Sequence, residues 1–263
     1  GSARRPAPGD LAVQGANYGD PLPRLFGTIR ASGQVIWSSG VALREGEGKT
    51  DGGRSYAASF AVALSSRPIA GVGRIWADSR LIRDATGVMA VPGTMRVHHG
   101  LPDQLPDPLI ASAEGAGATP AYRGLAYVVF EELALADFGN RIPQLSFEVV
   151  ADAAPLSVGD IAADLFRAAG APAPETSGLE STLRGFGVAR ATTLGACLEQ
   201  LGLCVPLELL PGVERVALRA RADTPVLTVR EEEMGAATGS ARGRMATART
   251  EGDRAPGVFA VQY

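Results

Sequence analysis

Short apolar runs separated by glycine- and proline-bearing turns fill the first half of the chain. Residues 24–30, with Leu25, Phe26 and Ile29, and residues 33–37, with Val35, Ile36 and Trp37, predict two strands of a hairpin turning at Ala31-Ser32. A polar, glycine-rich loop over residues 45–54 leads into residues 55–64, where apolar and small side chains alternate as in a long half-buried strand. A second hairpin is predicted from residues 71–77 and 80–82, with Asp78-Ser79 as its tight turn. Residues 95–99, 126–130 and 144–150 add further strands, the last with clean alternation. Residues 103–123 form a proline- and glycine-bearing connection with a short helix over 109–113.

The pattern changes after Asp152. Ser157 reads as a helix cap, followed by Ile161, Leu165 and Phe166 at helical spacing and by Gly170 as the stop. A second helix is predicted over residues 193–201, with a strand over 183–190 between the two. Residues 205–210 and 213–219 suggest a hairpin turning at Pro211-Gly212, and 225–230 another extended piece. Residues 231–253 have no period and are expected to form a flexible loop. The predicted class is α+β and mostly β: a β-rich barrel or sheet domain over residues 1–151, then a small α/β domain over 152–263. The strand-like end at 258–263 suggests that further domains follow in a longer protein.

Composition narrows the function classes. The 263 residues are 46% hydrophobic and 20% charged, as in folded proteins, and the 33 glycines and 18 prolines suit many turns between short strands. A net charge of −3 gives no footprint for gripping a phosphate backbone, so sequence-specific nucleic-acid binding is not expected. No apolar run reaches the roughly 20 residues that cross a bilayer, and residues 1–9 lack the apolar region of a signal peptide, so the chain is expected to be made in a cytoplasm. Cys197 and Cys204 would lie roughly 10 Å apart along one helix, too far for a disulfide, and are expected to be buried free thiols.

No reactive constellation stands out. The loop carrying Lys49-Thr50 ends like a phosphate-binding loop, but Leu43 occupies the position where that motif needs its first glycine. His98 and His99, the two histidines, point to opposite faces of a strand and are poor partners for one metal. Asp103 with Asp107, or Glu131 with Glu132, offer carboxylate pairs in the manner of a glycoside hydrolase, which needs about 5–9 Å between them. Their setting, beside proline turns and at a strand end, is ordinary. Trp37 and Trp76 close strands and read as core or interface anchors, and Glu231-Glu232-Glu233 as a solvated face. No catalytic, cofactor-binding or metal-ligating residue is therefore assigned, and no cofactor is expected.

Several segments resemble one family. Residues 17–30 with 33–37, residues 56–65 with Pro68-Ile69 and the Ile75-Trp76-Ala77-Asp78 stretch, residues 120–131, the Phe138-Gly139-Asn140-Arg141-Ile142-Pro143 run, and residues 183–190 are similar to the tail-tip (baseplate) hub proteins of siphophage tails and gene transfer agents. Arg67 and Ser79 depart from the small or glycine residues expected there. The resemblance spans roughly residues 15–195. It implies a structural, non-enzymatic role in a virion: a homotrimeric ring under the tail tube that meets the distal tail protein, the tape measure protein and other tail-tip proteins. Longer members add a TIM-barrel-like domain, which these residues do not show. Two other classes remain: a receptor- or glycan-binding module that uses Trp37, Trp76, Tyr122 and Tyr127 as an aromatic platform, and a carbohydrate-active enzyme.

Overall fold

A computed structural model of the chain describes residues 20–45, 54–115, 117–212, 215–221 and 227, the side chains of 41–45 and 54–55 excepted. The chain divides into two compact units, Gly1–Ala220 and Arg221–Tyr263, and all the elements that follow belong to the first. The Lys49 loop, the extended piece at 225–230, the acidic run at 231–233, the loop at 231–253 and the strand-like end at 258–263 lie outside the described residues, Leu227 apart.

Two antiparallel sheets make the body of the unit. The first contains β1 (Arg24–Ser32), β4 (Gly71–Ala77), β5 (Arg80–Arg83), β8 (Leu145–Val150) and β11 (Gly185–Val188), in the order β11-β1-β8-β4-β5. The second contains β2 (Gln34–Glu45), β3 (Arg54–Ser65), β6 (Thr94–His98) and β7 (Ala126–Ala134), in the order β2-β3-β7-β6. Leu25, Ile75, Phe147 and Val149 from the first face Phe60, Val62, Val128 and Phe130 from the second across one buried core. Phe130 lies between the layers, 5.1 Å from Phe60 and 6.3 Å from Phe147 between ring centroids. Both sheets are open, ending at β11 and β5 and at β2 and β6, so of the expected barrel or sheet the described residues form the sheet alternative, two layers packed face to face with no closed barrel.

The expected β1–β2 hairpin does not form either. β1 pairs with β8 and β11, whereas β2 pairs with β3, so the chain passes from one sheet to the other at Gly33. A Cβ on Gly33 would lie 2.2 Å from Val62 Cγ1 and 2.8 Å from Phe147 Cε2, so only glycine fits this corner between the layers. The apolar side chains that suggested a hairpin belong to strands in separate sheets, Leu25 and Phe26 buried in β1 and Val35 to Trp37 partly buried in β2.

The second sheet is covered on its other face too. Helix α1 (Pro108–Glu114) and the connection after it pack Ile110, Leu109 and Tyr122 against Ala61, Tyr127 and Val129. This explains why β3, read as half-buried, is buried on both faces from Phe60 through Ser65. β7 likewise runs past Glu131 and Glu132, which do not end it. There a bulge sets Glu131 and Glu132 opposite Ser59: the register jumps from Phe130↔Phe60 to Leu133↔Ala58. Glu132 takes φ +53 and its N–H donates to Ser59 Oγ at 3.0 Å. Without the extra residue Glu132 would point into the core; with it, Glu132 is exposed and Leu133 is buried.

A second core lies on the opposite side of β1. Helix α2 (Val158–Ala168), capped by Ser157 accepting from the Asp160 N–H, turns Val158, Ile161, Leu165 and Phe166 inward. Helix α3 (Leu194–Gly202), capped by Thr193, adds Cys197 and Leu201. Two short ribbons, β9 (Leu156–Ser157) with β10 (Thr182–Leu183) and β12 (Leu207–Leu210) with β13 (Ala217–Ala220), border it. Cys197 is buried, and burial pushes its thiol pKa up, whereas Cys204, past the end of α3, is exposed rather than buried.

Candidate functional site

Three assembled polar centres stand out, and each ties segments that are far apart in sequence. The first lies under α1. Asp107 caps α1 by accepting from the N–H groups of Leu109 (2.9 Å) and Ile110 (3.3 Å), with Pro108 preset for the first helical position. The same carboxylate accepts from Arg96 Nε (2.9 Å) and Nη2 (3.2 Å) and meets His98 Nε2 at 2.9 Å. Arg96 also donates to Glu131 at 2.6 Å. Burial alone would raise the Asp107 pKa; the bonds from Arg96 and His98 and the arginine charge outweigh it and hold the carboxyl below its usual range. His98 stacks on Tyr127 at 4.3 Å, and Tyr122 meets the same ring edge-on at 5.4 Å. The Tyr127 hydroxyl is buried without a hydrogen-bond partner among the described residues, and burial, with the Asp107 charge nearby, pushes its pKa up.

This centre brings together His98, Asp107 and Glu131 around Arg96. The Asp107 side chain is fully buried and its oxygens accept from the donors named above, so this carboxylate is engaged in tying α1 to β6. Asp103 is exposed on the surface, away from that network. His99 turns to the Ile69 carbonyl, 3.0 Å away, and does not share a partner with His98. Among the described residues no group of three or more histidine, cysteine, aspartate or glutamate side chains is gathered as a metal site.

The second centre joins the two cores. Asp152 accepts from Arg67 Nη1 (2.7 Å) and Nη2 (2.9 Å) and from the Gly27 N–H (2.9 Å). Arg67 donates as well to the Leu25 carbonyl (2.8 Å) and lies 4.7 Å above the Phe26 ring. Burial opposes ionisation of Asp152, but the arginine and glycine donors prevail and lower its pKa. Arg67 is therefore the residue that clamps β1 to the chain entering α2. Gly27 takes φ +62 here, and a Cβ on it would lie 2.3 Å from the Arg184 carbonyl oxygen; on Gly185 opposite, 2.3 Å from the Thr28 oxygen.

The third centre joins two of the resembling segments. Asp78 and Ser79 both have positive φ, as in a type I′ hairpin turn. Asp78 accepts from Arg141 Nη2 at 2.7 Å and from the Gln144 N–H at 3.0 Å. Arg141 follows Gly139 and Asn140, two successive left-handed residues, for which glycine and asparagine are the suited types. Gln104 does comparable work in the connection: it receives the Gly100 N–H at 2.7 Å and donates to the carbonyls of Ala121 and Tyr122 at 2.9 Å.

No protein-family model and no curated protein matches the chain. A solved structure does. It is a chain of the virion of a native gene transfer agent particle, 31% identical, with a TM-score of 0.68 over 86% of this chain. The chain spans 58% of the length of that relative. At that identity the similarity reaches beyond the general fold to the sequence that builds it. Nothing in the sequence marks Arg96 or Gln104 as a hub of hydrogen bonds, and Arg67 and Asp152 stand out there only as a departure and a boundary. Asp107-Pro108, a capping residue before a helix-starting proline, does carry a local signal. Three of the four rings of the supposed aromatic platform gather, but around a buried ring and not as one exposed surface: Trp37 and Tyr122 pack, partly buried, against the cluster that holds Tyr127. Tyr127 is buried, Trp37 lies on β2 of the second sheet, and Trp76 lies on β4 of the first. Among the described residues no helix is long and apolar enough to cross a membrane.

Proposed function

We propose that this chain is a structural module of a phage-like tail tip, one protomer of a homotrimeric hub ring that joins the tail tube to the distal tip and the host-recognition parts. The observation that carries this reading is the 31% identity to a gene transfer agent virion chain over 86% of these residues. The placement of the resembling segments supports it. Where described, they build the β body and its polar ties, such as Asp78–Arg141. In this reading the virion is the place of action, and the distal tail and tape measure proteins are the neighbours. Residues 1–151 act as the β-rich hub domain and 152–263 as a smaller α/β domain. Non-enzymatic work suits the burial of Asp107, the best-assembled carboxylate among the described residues. Light scattering across a concentration series tests the ring: a mass three times that of the 27.1 kDa chain is expected, and a monomer at every concentration would count against self-assembly.

A further inference from the structure

The outward face of the five-stranded sheet carries a second kind of organised surface. Alternation along its strands sends Leu145, Phe147 and Val149 inward and leaves Ser146 and Glu148 of β8 facing out beside Arg30 of β1 and Arg74 and Trp76 of β4. The helical core covers only the end of this sheet near Phe26 and Phe186. On the remainder, Arg30 is exposed and the Arg74 side chain is 46% exposed.

These side chains are held in place. The Arg30 guanidinium lies 4.0 Å from the centre of the Trp76 ring and donates through Nε (3.1 Å) and Nη2 (2.9 Å) to Ser146 Oγ. Arg74 lies 5.8 Å from the same ring and donates through Nε (3.0 Å) and Nη2 (2.8 Å) to Glu148. Glu148 also receives the Arg74 backbone N–H at 3.1 Å and occupies space that a Cβ on Gly73 would fill, 2.5 Å from its Oε2. Its bonds to Arg74 lower its pKa, so it holds Arg74 as an anion. A guanidinium has five N–H donors, and each of these two spends a pair of them within the face. The others make no further hydrogen bond among the described residues.

We propose that this face is a docking surface for an acidic polypeptide, whose carboxylates pair with Arg30 and Arg74 around Trp76. Charge complementarity selects the occupant: a pair of fixed guanidiniums presents the fork geometry that matches carboxylates, and tryptophan with arginine is the composition of energetically dominant protein contacts. A nucleic acid fits less well. The guanidinium of Arg30 already occupies the approach to the indole on which a base would stack, whereas a carboxylate needs no ring face. The inference does not depend on the hub reading, since a trimer can form whether or not this face binds carboxylates.

The chain has two tryptophans, so Trp37→Phe leaves Trp76 as the reporter. Titrating that variant with poly-L-glutamate at low ionic strength is expected to produce a saturable change in Trp76 emission. Salt of roughly 0.5 M should suppress it by screening. Arg30→Gln with Arg74→Gln should abolish it, with circular dichroism confirming the fold. Arg30→Gln alone, which gives up the hydrogen bonds to Ser146 and leaves the Arg74–Glu148 pair intact, serves if the double variant unfolds and should weaken the response several-fold. The proposal is overturned if emission does not change, if the variants respond as the parent does, or if duplex DNA produces the stronger saturable change.

Discussion

Replacing Gly27 with alanine tests how β1 is shared between the two cores. Two penalties combine. An L-residue at φ +62 costs about 1–2 kcal/mol relative to its preferred conformations. The added Cβ, 2.3 Å from the Arg184 carbonyl oxygen, also forces apart a backbone pair that is hydrogen-bonded from Thr28 N–H to Arg184 O at 2.7 Å, which overpacking data put at about 1–3 kcal/mol. The expected loss is therefore about 2–5 kcal/mol, a large part of the stability of a typical domain. Urea denaturation measures it, and hydrogen exchange should locate the weakening in β1 and β11. Gly185→Ala strains the same approach from the other side, its Cβ being 2.3 Å from Thr28 O. Once the strands have parted for one methyl group, the second should cost less, so the double variant should lose less than the sum of the singles. A Gly27→Ala variant within about 0.5 kcal/mol of the parent, or strictly additive losses, would refute the close-approach reasoning.

Three further outcomes are expected. Ser79→Gly should stabilise the chain by about 0.5–1 kcal/mol in thermal or urea unfolding, because the left-handed penalty at φ +70 exceeds the entropy that glycine adds to the unfolded state. Asp107→Asn should cost about 3 kcal/mol, because it leaves the Arg96 guanidinium and the His98 ring facing amide hydrogens in a buried place. The same carboxylate gives a pH signature. Asp107 and Asp152 have lowered pKa values in the folded chain, so their contribution is complete above about pH 4, the unfolded-state value, and is lost as the pH falls through the folded values. Acid titration followed by circular dichroism should show this loss, and it should be smaller in Asp107→Asn.

What could be read from the sequence was local. Asp78-Ser79 between β4 and β5, Ser157 before α2 and Thr193 before α3 are short-range signals, and each element formed where they indicated it. The failures lie where distant partners decide. Residues 24–37 look like a hairpin because turn chemistry is visible within a few residues, whereas the pairing of β1 with Val150 and Val188 is not. Glu131-Glu132 looks like a strand end until the bulge shows how the chain passes two acidic residues through a buried strand. For the same reason the Asp107 and Asp152 centres escape a reading of the sequence: their partners are set by sheet register and not by spacing.

The double allegiance of β1 also sets a timetable for synthesis. Its residues leave the ribosome 114 to 164 positions before those they pair with, from Ser32 with Ser146 to Arg24 with Val188. At about 5–20 residues per second, that is roughly 6 to 30 seconds during which an apolar strand has no edge to join. Hairpins such as β4–β5 can close while translation continues. The keystone of both cores must wait, and the nascent chain is most open to aggregation and to chaperones during that interval.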